Sequence, residues 1–202
     1  MKKQDRAISL GSTPLHPAGK PVRGEYVSLL GEAYYRIANT DSLEPFFISL
    51  VSGSDHWLFI ASTGGLSAGR RNAEQALFPY YTVDKITENS ETTGSKTLLL
   101  VARGGRTSLW EPFSERGRGH YDIQRNLYKN VSGTALVFEE HNLDLGLSFR
   151  YAWRTGEQFG FVRSAWLLTQ AGIGPVRVLR CSCSAVSWVR PLKSGMSPPS
   201  LL

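Results

Sequence analysis

The chain has 202 residues, of which 41% are apolar, 11% aromatic and 20% charged, with a formal charge of +6 and two cysteines. That composition suits one sizeable folded domain; it excludes a disordered chain and a disulfide scaffold, and no apolar run approaches the roughly 18 residues a helical membrane span needs. The excess charge does not mark a nucleic-acid surface: no acid follows Glu157, removing residues 180–202 (Arg180, Arg190, Lys193) halves it, and only Arg70-Arg71 and Arg116/Arg118 lie close together.

Residues 1–24 read as a flexible arm. The basic start, Met1 to Arg6, is followed only by Ala7-Ile8-Ser9-Leu10 before Gly and Pro intervene, and a secretory signal needs an apolar core of about 7–15 residues. A cytoplasmic protein is the expectation. Strands are predicted at 33–38, 46–51, 57–61 and 96–102, with Gly104-Gly105 turning the last back into 107–110. Only 72–78 has helical character. Further strands are predicted at 126–131 and 134–140, joined by a Ser132-Gly133 turn, then at 144–154 and 160–169. In 144–154, Leu145, Leu147, Phe149, Tyr151 and Trp153 alternate with Gly146, Ser148, Arg150, Ala152 and Arg154, the pattern of a strand with one buried and one wet face. Closely spaced strands with so little helix predict an antiparallel β-sandwich rather than a parallel α/β sheet.

From Arg180 the text changes to Arg-Cys-Ser-Cys-Ser and a Ser/Pro-rich run without acids. Cys181 and Cys183 are two thiolates where a closed zinc site needs four ligands. A solvated tail and a reading-frame change near Arg180 both account for the switch, and the second explains why the strand pattern stops so abruptly.

Several segments invite chemistry. Gly65-Leu66-Ser67-Ala68-Gly69 matches the nucleophile elbow, in which small residues let a Ser sit on a strained strand-to-helix turn, and Asp84 or Asp122 and then His141 follow in Ser…Asp…His order. Against it, the elbow belongs to a parallel sheet with long helices. Asp55 and His56 are neighbours whose side chains diverge on a strand, and His120 lacks metal-ligand spacing. Glu139-Glu140 with Asp144 resembles a carboxylate pair, but glycoside hydrolysis needs two carboxyls facing one bond; a solvated strand edge is the expectation there. The densest unusual stretch, 70–85, concentrates Arg70, Arg71, Asn72, Tyr80, Tyr81 and Asp84. Sugar sites combine aromatic faces with side chains that bond hydroxyls, so these six are the expected substrate-binding residues.

The same pieces carry a resemblance. Ser52–Trp57, Gly65–Arg71, Asn72–Lys85, Leu-Trp-Glu-Pro-Phe at 109–113, His120–Tyr128, Phe161-Val162-Arg163-Ser164 and Pro175-Val176-Arg177-Val178-Leu179 resemble the N-terminal β-sandwich of large bacterial proteins related to the cellobiose and chitobiose phosphorylases and cyclic β-glucan synthases, glycoside hydrolase family 94. The resemblance covers 44–179. It implies a supersandwich of the galactose-mutarotase-like kind, here incomplete. It implies a partner helical barrel that holds the catalytic Asp and is absent from this chain, and a sandwich that adds loops to the site rim and to homodimer contacts.

The expectation is therefore a mostly-β chain with an arm (1–24), a partial sandwich (25–179) and a disordered or non-native tail (180–202). Its expected function is a non-catalytic carbohydrate-binding or scaffold domain of a glycoside phosphorylase- or hydrolase-like protein. It is expected to take a β-linked oligosaccharide, with no catalytic residue of its own, no metal, no cofactor, no nucleic acid and no membrane. The alternatives are a small serine hydrolase using Ser67 and an interaction module without sugar affinity.

Overall fold

The computed structural model describes residues 8–11, 13–15, 19–78, 82–94, 96–157, 160–169, 177–183 and 189–192. They form β-sheets packed face to face, as the alternation predicted, with one short α-helix among them.

A short hairpin, β1 (Ile8–Leu10) with β2 (Thr13–Leu15), precedes β3 (Arg23–Leu29) and β4 (Glu32–Ala38). Then come β5 (Phe47–Leu50), β6 (His56–Ala61) and β7 (Leu66–Arg70), an antiparallel three-stranded sheet. α1 (Val83–Glu88) leads to β8 (Thr97–Arg103) and β9 (Arg106–Trp110). Their hairpin turns on Gly104 and Gly105, whose φ of 56° and 77° are what a tight primed turn requires. The central meander is β10 (Ile123–Asn130), β11 (Ala135–Asn142), β12 (Leu147–Gly156) and β13 (Gly160–Thr169). β14 (Arg177–Cys183) pairs antiparallel with β8, and β15 (Val189–Leu192) lies parallel to β13.

The large sheet has seven strands in the order β15-β13-β12-β11-β10-β4-β3. One face packs on both small sheets, β5-β6-β7 and β14-β8-β9. Its core joins Leu136 and Phe138 of β11 and Leu147, Phe149 and Tyr151 of β12 to Leu58, Ile60, Leu66, Leu99 and Trp110 opposite. The stacked rings of Phe138 and Tyr151, with centroids 4.7 Å apart, lie at its centre. Each such fully buried side chain stabilises the fold by about 1.5–3 kcal/mol.

The opposite face is not the wet one the alternation implies. Tyr34, Val137 and Ala152 are fully buried there, with Tyr128, Ala135 and Trp166 around them. Polar residues fill the rest of that surface.

Two expected boundaries fall inside strands. Position 24 lies within β3, and the arm before it carries the β1–β2 hairpin. Lys20 holds Asp122 at 2.6 Å. Position 180 lies within β14, so period-two backbone continues past the change in composition; the remainder of the expected tail, 184–188 and 193–202, is outside the described residues. The helical turn expected at 72–78 is a 3-10 turn, Ala73–Gln75, and the α-helix forms instead at Val83–Glu88.

Candidate functional site

β11 carries two adjacent acids in mid-sheet. Because strand neighbours point to opposite faces, Glu139 lies on the outer face and Glu140 in the sandwich, and each is only 2% exposed. The solvated edge expected for this pair is therefore corrected: β11 is an interior strand with β10 and β12 on either side.

Glu140 has a structural environment. Its Oε1 accepts from Trp110 Nε1 at 2.8 Å, and Oε2 accepts from the Phe113 backbone N–H at 2.7 Å and from Arg125 Nε at 2.8 Å. Arg125 also pairs with Glu115 and donates to the Ser114 carbonyl. Phe113, held at φ 65°, sets its ring edge-on to Tyr151 at 5.1 Å. The Leu-Trp-Glu-Pro-Phe stretch is thus clamped onto the sheet by one buried carboxylate.

Glu139 has the environment of a site. Register places Asn126 and Arg150 directly beside it on the flanking strands and Ser148 beside His141. Glu139 Oε2 accepts from Asn126 Nδ2 at 2.8 Å and from the Tyr128 hydroxyl at 2.5 Å, and lies 3.1 Å from His141 Nε2. Its Oε1 takes Arg150 Nε at 3.1 Å and a second guanidinium nitrogen of the same residue. His141 Nδ1 is 2.6 Å from Ser148 Oγ. Burial alone would raise the Glu139 carboxyl, but the His141 hydrogen bond, the Arg150 charge and the Tyr128 hydroxyl together hold it well below the carboxylate range. Burial first, and the Glu139 charge second, push the Tyr128 phenol up.

Ser148, His141 and Glu139 have the order of a nucleophile–base–acid relay. Ser148 is only 5% exposed, however, and near the start of β12 it is paired with His141 on one side and Leu168 on the other, so the backbone there belongs to the sheet ladder rather than to an oxyanion hole. What the cluster does offer is a fixed anion under a half-exposed polar rim. Gln124 reaches Asn126 Oδ1 at 3.4 Å, His141 and Arg150 are partly open, and Trp166 stands across from Arg150 on β13.

The residues expected to bind substrate have protein partners of their own. Arg70 and Arg71 both turn onto Asp55, at 3.2 and 3.0 Å. The Arg71 hydrogen bond is the main reason the Asp55 carboxyl lies below its ordinary range. Asn72 caps the 3-10 turn, its Oδ1 accepting from the Gln75 N–H at 3.2 Å. Asp84 lies exposed in the first turn of α1, its carboxyl lowered chiefly by the Thr82 hydroxyl. Tyr80 and Tyr81 lie outside the described residues.

Ser67 does not occupy an elbow. It is fully buried in β7, opposite Phe59 in an antiparallel ladder. The glycines of its motif are packing residues: a Cβ at Gly65 would fall 2.2 Å from the Ile86 carbonyl, and one at Gly69 would meet the Trp57 ring at 2.6 Å.

Among the described residues, no cluster of three or more His, Cys, Asp or Glu forms a metal cage, and no helix is long and apolar enough to cross a membrane. No protein-family model matches the chain, and no curated protein matches it.

Proposed function

We propose that this chain is a non-catalytic carbohydrate-binding domain of a glycoside phosphorylase- or hydrolase-like protein, and that the outer face of β10–β13 receives the sugar. The observation that supports this is the Glu139 cluster, a pre-oriented set of planar polar side chains beside an indole. Sugars are recognised by such sets: an aromatic face covers the C–H side of a ring, and guanidinium, amide and imidazole groups meet its hydroxyls. Donors held in place by a buried anion lose little freedom on binding. Arg70 and Arg71 have less to offer, since both already engage Asp55.

The same geometry favours binding over bond cleavage. Glu139 and Glu140 point to opposite faces, so they cannot flank one glycosidic bond. A carboxylate stabilised as strongly as Glu139 is also a poor proton donor at neutral pH. The kinship to the family 94 sandwich, its helical partner and its dimer contacts belong to this proposal. So does a cytoplasmic location, which fits a chain with only two cysteines.

Calorimetric titration with cellobiose and with chitobiose tests the reading. Saturable binding that Trp166→Ala abolishes and Tyr80→Ala leaves intact supports the outer face. Binding lost in Tyr80→Ala alone moves the site to the 70–84 block. No saturable heat with either disaccharide removes the sugar-binding proposal.

A further inference from the structure

Among the described residues, the sandwich side of the large sheet is left partly uncovered at one end. The small sheet stops at β5, while β4 and β3 continue beyond β10, and neither contributes to the main core. A groove of about 550 Å³ opens there. Ile37, Phe46 and Val51 give it an apolar surface, laid over the buried core side chains Ile48, Leu127 and Leu136. Its outer wall is the edge-to-face pair Tyr26 and Tyr35, with centroids 5.2 Å apart, and Tyr26 is 76% exposed.

The polar groups around this groove divide into two kinds. Asn130 is fully engaged, its amide nitrogen lying within hydrogen-bond distance of Glu32, Ser132 and Thr134 and its oxygen accepting from the Ala135 N–H. The Lys129 ammonium and the hydroxyls of Tyr26 and Tyr35 have no partner among the described residues. No carboxylate of the described residues lines the groove.

We infer that this groove binds a free amphipathic carboxylate, its alkyl chain on the apolar floor and its carboxylate paired with Lys129. The floor decides against a sugar, because hydroxyls brought against Ile37, Phe46 and Val51 would lose water without gaining partners. It suits a chain of methylenes, each of which gains from leaving water. The volume lies within the range of small-molecule sites. The rim decides the head group: an ammonium is donor-only, and a carboxylate is acceptor-only. The groove lies on the opposite face of the large sheet from Glu139, so the two sites are independent.

Titration of the full chain with decanoate below its micelle concentration, with decanol as the headless control, tests this. Saturable one-to-one binding is expected for decanoate, with decanol weaker by about tenfold. Lys129→Met should weaken decanoate by a similar factor and leave decanol unchanged. Val51→Trp, at an exposed lining position, should block both ligands while its circular dichroism and melting remain those of the parent. Absence of saturable binding, equal affinity for decanol and decanoate, or undiminished binding by folded Val51→Trp would each overturn the inference.

Discussion

Glu139 and Glu140 are consecutive in β11, yet their carboxylates are anchored on opposite faces of one sheet, the first by Arg150 and the second by Arg125. Each acid also takes donors that no charge requires: an amide and a phenol for Glu139, an indole and a backbone N–H for Glu140. A buried carboxylate is tolerated when its lone pairs are filled in this way. The consequence is division of labour across 3.8 Å of backbone. Glu140 holds the 109–115 segment on the sandwich, and Glu139 orders a polar surface that remains partly open.

Removing the charge at position 140 should be costly. Glu140→Gln leaves the buried Arg125 guanidinium with a neutral neighbour that must now serve as both donor and acceptor. Breaking one partner of a buried pair costs about 3 kcal/mol. Urea denaturation should show a midpoint shift of that size. In the double variant Arg125→Met/Glu140→Leu, the loss should be smaller than the sum of the single losses, because both buried charges leave together and the more exposed Glu115 keeps Arg118.

Glu139 sets an acid limb. Its folded pKa lies below the unfolded value near 4.5, so its contribution is fully present above that pH and is lost as pH falls toward the folded pKa. Between pH 7 and pH 3 the parent should lose roughly 2 kcal/mol more stability than Glu139→Gln. Asp55, Asp84 and Glu91 are also depressed but are common to both proteins, so the difference isolates Glu139. Parallel stability–pH curves for the two would contradict the assignment.

The meander was legible because period-two patterning and Gly or Asn turns are local signals. β10 to β13 form where alternation predicts them, within a few residues at each end. The acidic pair was misread because its setting is not local. Nothing in Phe138-Glu139-Glu140-His141 tells an edge strand from an interior one, and only register against Arg125 and Arg150 makes both acids buried ion-pair partners. Likewise the shared partner of Arg70 and Arg71 is not a local signal, because Asp55 lies 15 and 16 residues earlier and meets them only across the β6–β7 hairpin. α1 was missed because six residues are too short for helical periodicity to stand out. The second buried face had a visible trace, the small and aliphatic Ala135, Val137 and Ala152 at outward positions.

The glycine pattern around Ser67 should fail as a stability device, not as an active site. Gly65→Ala places a methyl 2.2 Å from the Ile86 carbonyl, a backbone atom that cannot move without displacing α1. We expect a destabilisation of about 2–3 kcal/mol, read as a lower melting temperature. Any background ester hydrolysis should be the same in Ser67→Ala as in the parent, since the hydroxyl is sealed inside the sheet. A large loss of esterase activity in a normally folded Ser67→Ala protein would restore the hydrolase reading.

At high pH the phenols take over. Burial raises Tyr151, and burial with the Glu139 charge raises Tyr128, both above the ordinary value of 10.0. A raised phenol favours its neutral form in the folded chain. Its stabilising contribution is therefore complete below pH 10 and disappears as pH climbs through the folded pKa. Tyr128→Phe removes one such group and one hydrogen bond to Glu139, which should cost about 1 kcal/mol at pH 7. Above pH 10 the parent should lose stability faster than Tyr128→Phe, so the gap between their urea midpoints narrows with rising pH. A gap that widens instead would mean that Tyr128 ionises more readily in the folded protein than in the unfolded chain, against the direction its buried position beside a carboxylate requires.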